Sequence, residues 1–121
     1  MSRKGVTNNW TPEECKEEIE AIISRTNNED SNENLFTNVI GMKLRQRRLE
    51  LKLTQTKVGK MLDVTFQQVQ KYETGKNAIG LKNLWKFCIL TDTSIDWFFE
   101  KFHMNQLKSI KPTQTIEKER I

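Results

Sequence analysis

The stretch "VTFQQVQKYETGKN", residues 64–77, places Gln67, Gln68 and Gln70 within four positions, just after Phe66 and ahead of Gly75. Primary amides both donate and accept hydrogen bonds, so the cluster suits either the reading of a polar partner or a solvated helix surface. At 100° per residue, Phe66, Gln67, Gln70, Lys71 and Thr74 share one face, while Val69 and Tyr72 point away from it. Gln68 drops out of the contact set. It lies three residues after a candidate N-cap, Thr65, and completes a capping box there, with Val64 stapled to Val69. Gly75 is expected to stop the helix in the left-handed conformation.

Catalysis has little to build on. His103 is the sole histidine, no glycine-rich phosphate loop occurs, and no Cys or Ser has a base suggested nearby, so no enzyme, metal or cofactor is expected. Cys15 and Cys88 are the only cysteines and form no CxxC, which supports neither a disulfide framework nor a zinc site and suits a reducing cytoplasm. Cys88, inside "LWKFCIL", reads as a small core residue. The apolar runs fall far short of the roughly 20 residues that span a bilayer, and no apolar leader opens the chain. A soluble, intracellular protein is expected.

Charge divides the 121 residues into three parts. Residues 38–103 carry twelve Lys/Arg against six Asp/Glu, residues 1–37 four against eight, and residues 104–121 four against two. A basic centre points to a polyanionic partner, although charge alone does not choose between nucleic acid and a membrane surface.

The elements that must position the polar face all read as helices. Thr11, Pro12 and Glu14 make a helix start, and Cys15, Ile19, Ile22 and Ile23 give an acidic helix over about 12–25 one narrow apolar stripe. Residues 26–34, "TNNEDSNEN", lack any apolar residue and read as a linker. The periodicity predicts a helix over about 38–51, with Ile40, Leu44 and Leu51 inward and Lys43, Arg45, Arg47 and Arg48 outward. Thr54 caps the next helix, about 55–62, where Gly59 implies a close contact and Asp63 a left-handed turn residue. Leu81, Leu84, Trp85, Cys88 and Ile89 recur at helical spacing over about 81–90. A last helix, about 94–102, carries Ile95, Trp97, Phe98, Phe99 and Phe102. These aromatics suit either a core lid or a dimer interface at Trp97, Phe98, Phe99 and Phe102. The expected fold is all-α: an acidic N-terminal extension over 1–34, a compact five-helix domain over 35–103, and a flexible tail over 104–121.

Two short helices joined by a tight turn, the second exposing a Gln/Lys face, are the sequence form of a helix-turn-helix. In order and spacing, "TQTKVG", "VTFQQVQKYETGKN" and the arginine of "RQRRLELKL" resemble the phage-repressor/Cro type of helix-turn-helix domain, the Xre-like family of bacterial transcription regulators, over about half the chain. The resemblance implies a sequence-specific regulator of double-stranded DNA, a repressor acting as a homodimer with helix 65–74 in the major groove, cytoplasmic and nucleoid-associated when bound. It implies that Gln55 hydrogen-bonds a phosphate, and that Thr74, Lys76 and Asn77 touch the backbone beyond the helix. Gln67 and Gln70 become the base readers, because a primary amide bonds adenine N6 and N7 as a bidentate pair; Lys71 reaches guanine or a phosphate. Arg48 and Glu73 match a family pair that ties the first helix of the domain to the third. Phe66 departs from the family's glutamine, which elsewhere braces Gln55, and either meets a thymine methyl or folds back beside Val69. Asp63 replaces the usual turn glycine, and Lys57 a capping Glu. Two rival readings remain: an antitoxin-like or adaptor protein that mainly holds a protein partner through the N-terminal or the last helix, and a helix 12–25 that mimics DNA and covers the basic face.

Overall fold

In the computed structural model, residues 9–25 and 32–102 are described. His103, the tail over 104–121 and residues 26–31 of the expected linker lie outside the described residues. Six helices follow in order, α1 (Pro12–Arg25), α2 (Asn32–Glu50), α3 (Gln55–Leu62), α4 (Phe66–Thr74), α5 (Leu81–Thr91) and α6 (Ile95–Phe99), with no strand among the described residues. None is long and apolar enough to cross a membrane.

The capping chemistry explains where these helices start. Thr11 and Glu14 exchange bonds, Thr11 N–H to Glu14 Oε1 at 3.0 Å and Glu14 N–H to Thr11 Oγ1 at 3.1 Å. Thr54, Thr65 and Ser94 each accept one first-turn N–H, from Lys57, Gln68 and Asp96. Thr65→Ala is expected to lower unfolding stability by about 1 kcal/mol in denaturant melts, with Thr65→Ser recovering most of it. Asp63 takes φ 61° and Gly75 φ 82°, the left-handed residues expected after α3 and α4. Lys52 and Asp92 adopt the same conformation after α2 and α5, where no glycine flagged it.

The helix expected to begin near residue 38 begins at Asn32, so residues 32–34 of the expected linker are already helical. The reason is a second apolar face. Ile40 and Leu44 point into one core with Val58, Leu62, Val69, Tyr72, Leu84, Phe87 and Phe98. Leu35, Val39 and Met42 point into another with Trp10, Cys15, Ile19 and Ile22 of the α1 segment. α2 is therefore sandwiched, and the acidic helix packs on its own domain. That overturns the outward placement of Lys43, Arg45 and Arg48, all 5% exposed or less, because α1 and two carboxylates cover their side of α2.

Two close backbone approaches fix α3 and α4. A Cβ on Gly59 would lie 2.7 Å from the Val64 carbonyl oxygen, so the turn runs directly against α3. One on Gly41 would run into the Tyr72 carbonyl, so α2 and α4 touch backbone to backbone.

Candidate nucleic-acid interface

α4 presents the face that helical geometry predicts. Phe66, Gln67 and Lys71 are exposed, Gln70 and Thr74 are half-buried, and Lys76 and Asn77 are exposed just past the Gly75 stop. Val69, Tyr72 and Glu73 are buried beneath. Phe66 is 45% exposed, so it is open to a ligand rather than tucked into the core. Thr74 Oγ1 donates to the Gln70 carbonyl at 3.0 Å, so its proton serves the helix and a phosphate contact would need that bond released. Lys57 and Lys60 of α3 and Lys52 before it are exposed and add cations that the family motif did not single out.

What holds α4 is a buried polar clasp. The Glu73 side chain is fully buried and accepts four bonds. Arg48 binds it as a bidentate fork, Nε to Oε2 at 2.6 Å and Nη2 to Oε1 at 3.0 Å. Arg45 Nε and Gln55 Nε2 donate to Oε1 at 3.1 and 3.0 Å. Arg48 Nη1 also reaches the Leu53 carbonyl at 2.9 Å, tying in the loop before α3. Charge-assisted bidentate bonds of this kind are the strong, geometrically specific ones. One carboxylate thus locks α2, α3 and α4 together, and every buried side-chain polar atom among the described residues has a partner.

The clasp answers the question raised by Phe66. With no glutamine there to brace it, Gln55 is held by Glu73 instead, 8% exposed at the first turn of α3. Its Nε2 is directed at Glu73. Arg45, assigned outward from sequence, is a full member of the clasp; its spacing of three residues from Arg48 was the available signal. On its far side Arg45 lies over the Trp10 ring, 5.1 Å from the centroid.

The aromatic end of the chain distributes differently from expectation. Phe98 is fully buried in the main core, edge-on to Phe87 and Trp97, so it faces the monomer interior and not a second copy. Trp97 is half-buried beneath the Lys43 ammonium, 4.1 Å from its centroid, which also binds Glu100 at 2.6 Å. Phe102 stacks with Phe36 at 5.2 Å between ring centroids, and Phe99 lies tilted against both, with Phe36 and Phe99 still partly exposed. Of the Leu81, Leu84, Trp85, Cys88 and Ile89 set, only Leu84 and Cys88 point inward; Leu81, Trp85 and Ile89 are 77%, 60% and 60% exposed.

Both cysteines are buried. Burial pushes the Cys15 thiol up to about 12, against the lowering effect of Arg45, and also raises Cys88. Both therefore stay protonated thiols near neutrality. Among the described residues no group of three or more His, Cys, Asp or Glu is placed to hold a metal.

Comparison with known proteins covers the segment that contains this face. Residues 44–98 match the helix-turn-helix family, a span that runs from α2 through α6. An uncharacterized HTH-type transcriptional regulator of Sinorhizobium medicae is 39% identical over 61 residues, 50% of this chain and 44% of that protein. Another, from Sinorhizobium fredii, is 39% identical over 70 residues, covering 58% and 48%. An uncharacterized transcriptional regulator in the ATPase CF(0) region of Rhodospirillum rubrum is 40% identical over 60 residues, covering 50% and 56%. The chain spans about half the length of the curated relatives it matches. No solved structure matches.

Proposed function

We propose, from the premise that residues 44–98 are a helix-turn-helix domain of the phage-repressor/Cro (Xre-like) family, that the protein is a cytoplasmic, sequence-specific DNA-binding repressor acting as a homodimer. The observation that carries the reading is the exposed Phe66, Gln67 and Lys71 face of α4, held in register by a clasp buried on its opposite side. A rigid helix offering amides and one cation outward is what the major groove accepts.

In this reading α4 enters the groove at its N-terminal end. Gln67 and Gln70 pair with adenine edges, Lys71 with guanine or a phosphate, and exposed Phe66 packs on a thymine methyl. The first-turn backbone N–H groups of α3, at Gln55, meet a phosphate while the Gln55 amide stays on Glu73, and Lys76 and Asn77 follow the backbone beyond α4, Thr74 joining them only once its bond to the Gln70 carbonyl is released. The DNA-mimic reading of the acidic helix is disfavoured: its apolar stripe is committed to α2, and Gln67 and Lys71 stay exposed. Its outer carboxylates remain the place where a protein partner of the adaptor reading would dock.

Selection of bound DNA from a random pool tests the reading. Enrichment of a two-fold-symmetric site, with halves about one helical turn apart, is expected. Gln67→Ala should cost about 1–3 kcal/mol at that site and relax its base preference, and affinity should fall steeply with salt. An equal loss on random DNA, or a flat salt response, rules out groove reading by α4.

A further inference from the structure

We propose that the cavity between α1, α2 and α6 is a binding site for a small zwitterion of the free amino-acid type, its ammonium seated on the Gln46 amide oxygen and the Glu100 carboxylate and its own carboxylate turned to Lys16 at the mouth. None of the walls comes from α3, α4 or α5, so the proposal stands apart from the DNA reading.

The cavity measures about 380 Å³, within the roughly 300–1,000 Å³ that small-molecule pockets occupy. Its apolar wall is Ile19, 1% exposed, and the half-buried Trp97, whose ring carries the Lys43 ammonium. Ring and Glu100 Oε2 together engage that ammonium, so Lys43 fixes the carboxylate in place and is itself closed off.

The Gln46 amide is left open. Gln46 is 4% exposed, and its Nε2 donates to Glu50 Oε2 at 2.9 Å; a carboxylate only accepts, which fixes the amide oxygen on the other side. That oxygen has no partner among the described residues. No fully enclosed side-chain polar atom among them goes unbonded, so the oxygen faces the open space of the cavity. Glu100 adds a second acceptor, because Lys43 takes Oε2 and leaves Oε1. Two acceptors on one cavity, one of them charged, suit an ammonium group, whose bond to a carboxylate is among the stronger hydrogen bonds.

Charge sets the other half of the ligand. Lys16, Lys43 and Lys101 line the cavity with Glu20, Glu50 and Glu100, and the six charges sum to zero. An ion of one sign would bring an uncompensated charge into this space, whereas a zwitterion keeps the balance. Lys16 is exposed and forms no ion pair among the described residues. Lys101 meets Glu20 at 2.7 Å through side chains 40% and 61% exposed, a solvated pair that is cheaply opened or shared. With the ammonium held at buried Gln46, these two more exposed lysines are the cations left for the carboxylate.

Titration of the full chain, without DNA, with each of the common free amino acids tests the site by proton–nitrogen NMR, the indole N–H signals being assigned from Trp10→Phe, Trp85→Phe and Trp97→Phe. At least one amino acid should, at millimolar concentration, shift the Trp97 indole and leave that of exposed Trp85 in place, and it should also raise the melting midpoint. Its N-acetyl derivative and its decarboxylated amine each lack one charge and should bind about 10-fold more weakly or worse, as should Gln46→Leu, the loss expected for one charged hydrogen bond. Lys16→Glu, at an exposed position, should weaken binding several-fold with an unchanged melt in the absence of ligand, and it reports on the site even where Gln46→Leu fails to fold. The proposal is overturned if no amino acid moves the Trp97 signal, if either singly charged derivative binds as tightly as the amino acid, or if Lys16→Glu or a folded Gln46→Leu binds at parental strength.

Discussion

Glu73→Ala is expected to cost about 3–5 kcal/mol of folding stability, because it strips the counter-charge from two buried guanidiniums at once. Arg45 and Arg48 are 3% and 5% exposed, so both charges are left buried when the carboxylate goes. Gln55 loses its acceptor in the same step. Glu73→Gln should rescue little, since a neutral amide replaces the charge and turns N–H groups toward the guanidinium donors. An exposed pair offers the contrast. Arg25 meets Glu18 at 3.4 Å with its own side chain 61% exposed, and Arg25→Ala should change stability by less than about 1 kcal/mol. Small domains hold only about 5–15 kcal/mol in total, so the Glu73 variant is expected to melt near room temperature in mild denaturant. A measured cost below about 1 kcal/mol would mean that α4 is positioned by apolar packing on Val69 and Tyr72 and not by the clasp.

The local chemistry of α4 was readable from sequence because its signals are short-range. Thr65, Gly75 and Asp63 act on backbone within a turn of themselves, and the 100° rule needs only the helix to exist. The resemblance to Cro-like domains added the Arg48–Glu73 pair, which no periodicity would have joined across 25 residues. What escaped depended on a neighbour outside the motif. Lys43 and Arg45 look like solvated residues until α1 covers them, and α1 looks like an appendage until Leu35, Val39 and Met42 are seen to form a second stripe on α2. The aromatics of α5 and α6 failed for a related reason. Helical spacing says that Trp85 and Phe98 each lie on an apolar face, but not which of two faces the rest of the chain will cover. The cores decide that, burying Phe98 and leaving Trp85 out.

Trp10→Ala is expected to reach α4 although the two share no motif. Trp10 is 8% exposed at the entry to α1, where its ring packs in the second core and carries the Arg45 guanidinium 5.1 Å from its centroid. Truncating a buried aromatic of this size typically costs about 3–5 kcal/mol. Removing a desolvated cation–π contact accounts for about 2 kcal/mol of such a loss. The contact matters because Arg45 is shared: one side rests on Trp10, and Nε is bonded to Glu73. Without the ring, water reaches Arg45 and weakens its bond to Glu73, so the loss should pass from the N-terminal segment to α4. Trp10→Phe keeps an aromatic face and should fall between the parent and the alanine variant. Native-state amide exchange checks the route. Faster exchange in α1 and at the α2 positions beneath it is expected in either case; faster exchange in α4 as well, over Val69–Glu73, is the signature of coupling through Arg45. Protection of α4 at the parental level in Trp10→Ala would show that the acidic helix stabilises only itself and α2, and that the Arg48 fork alone holds α4.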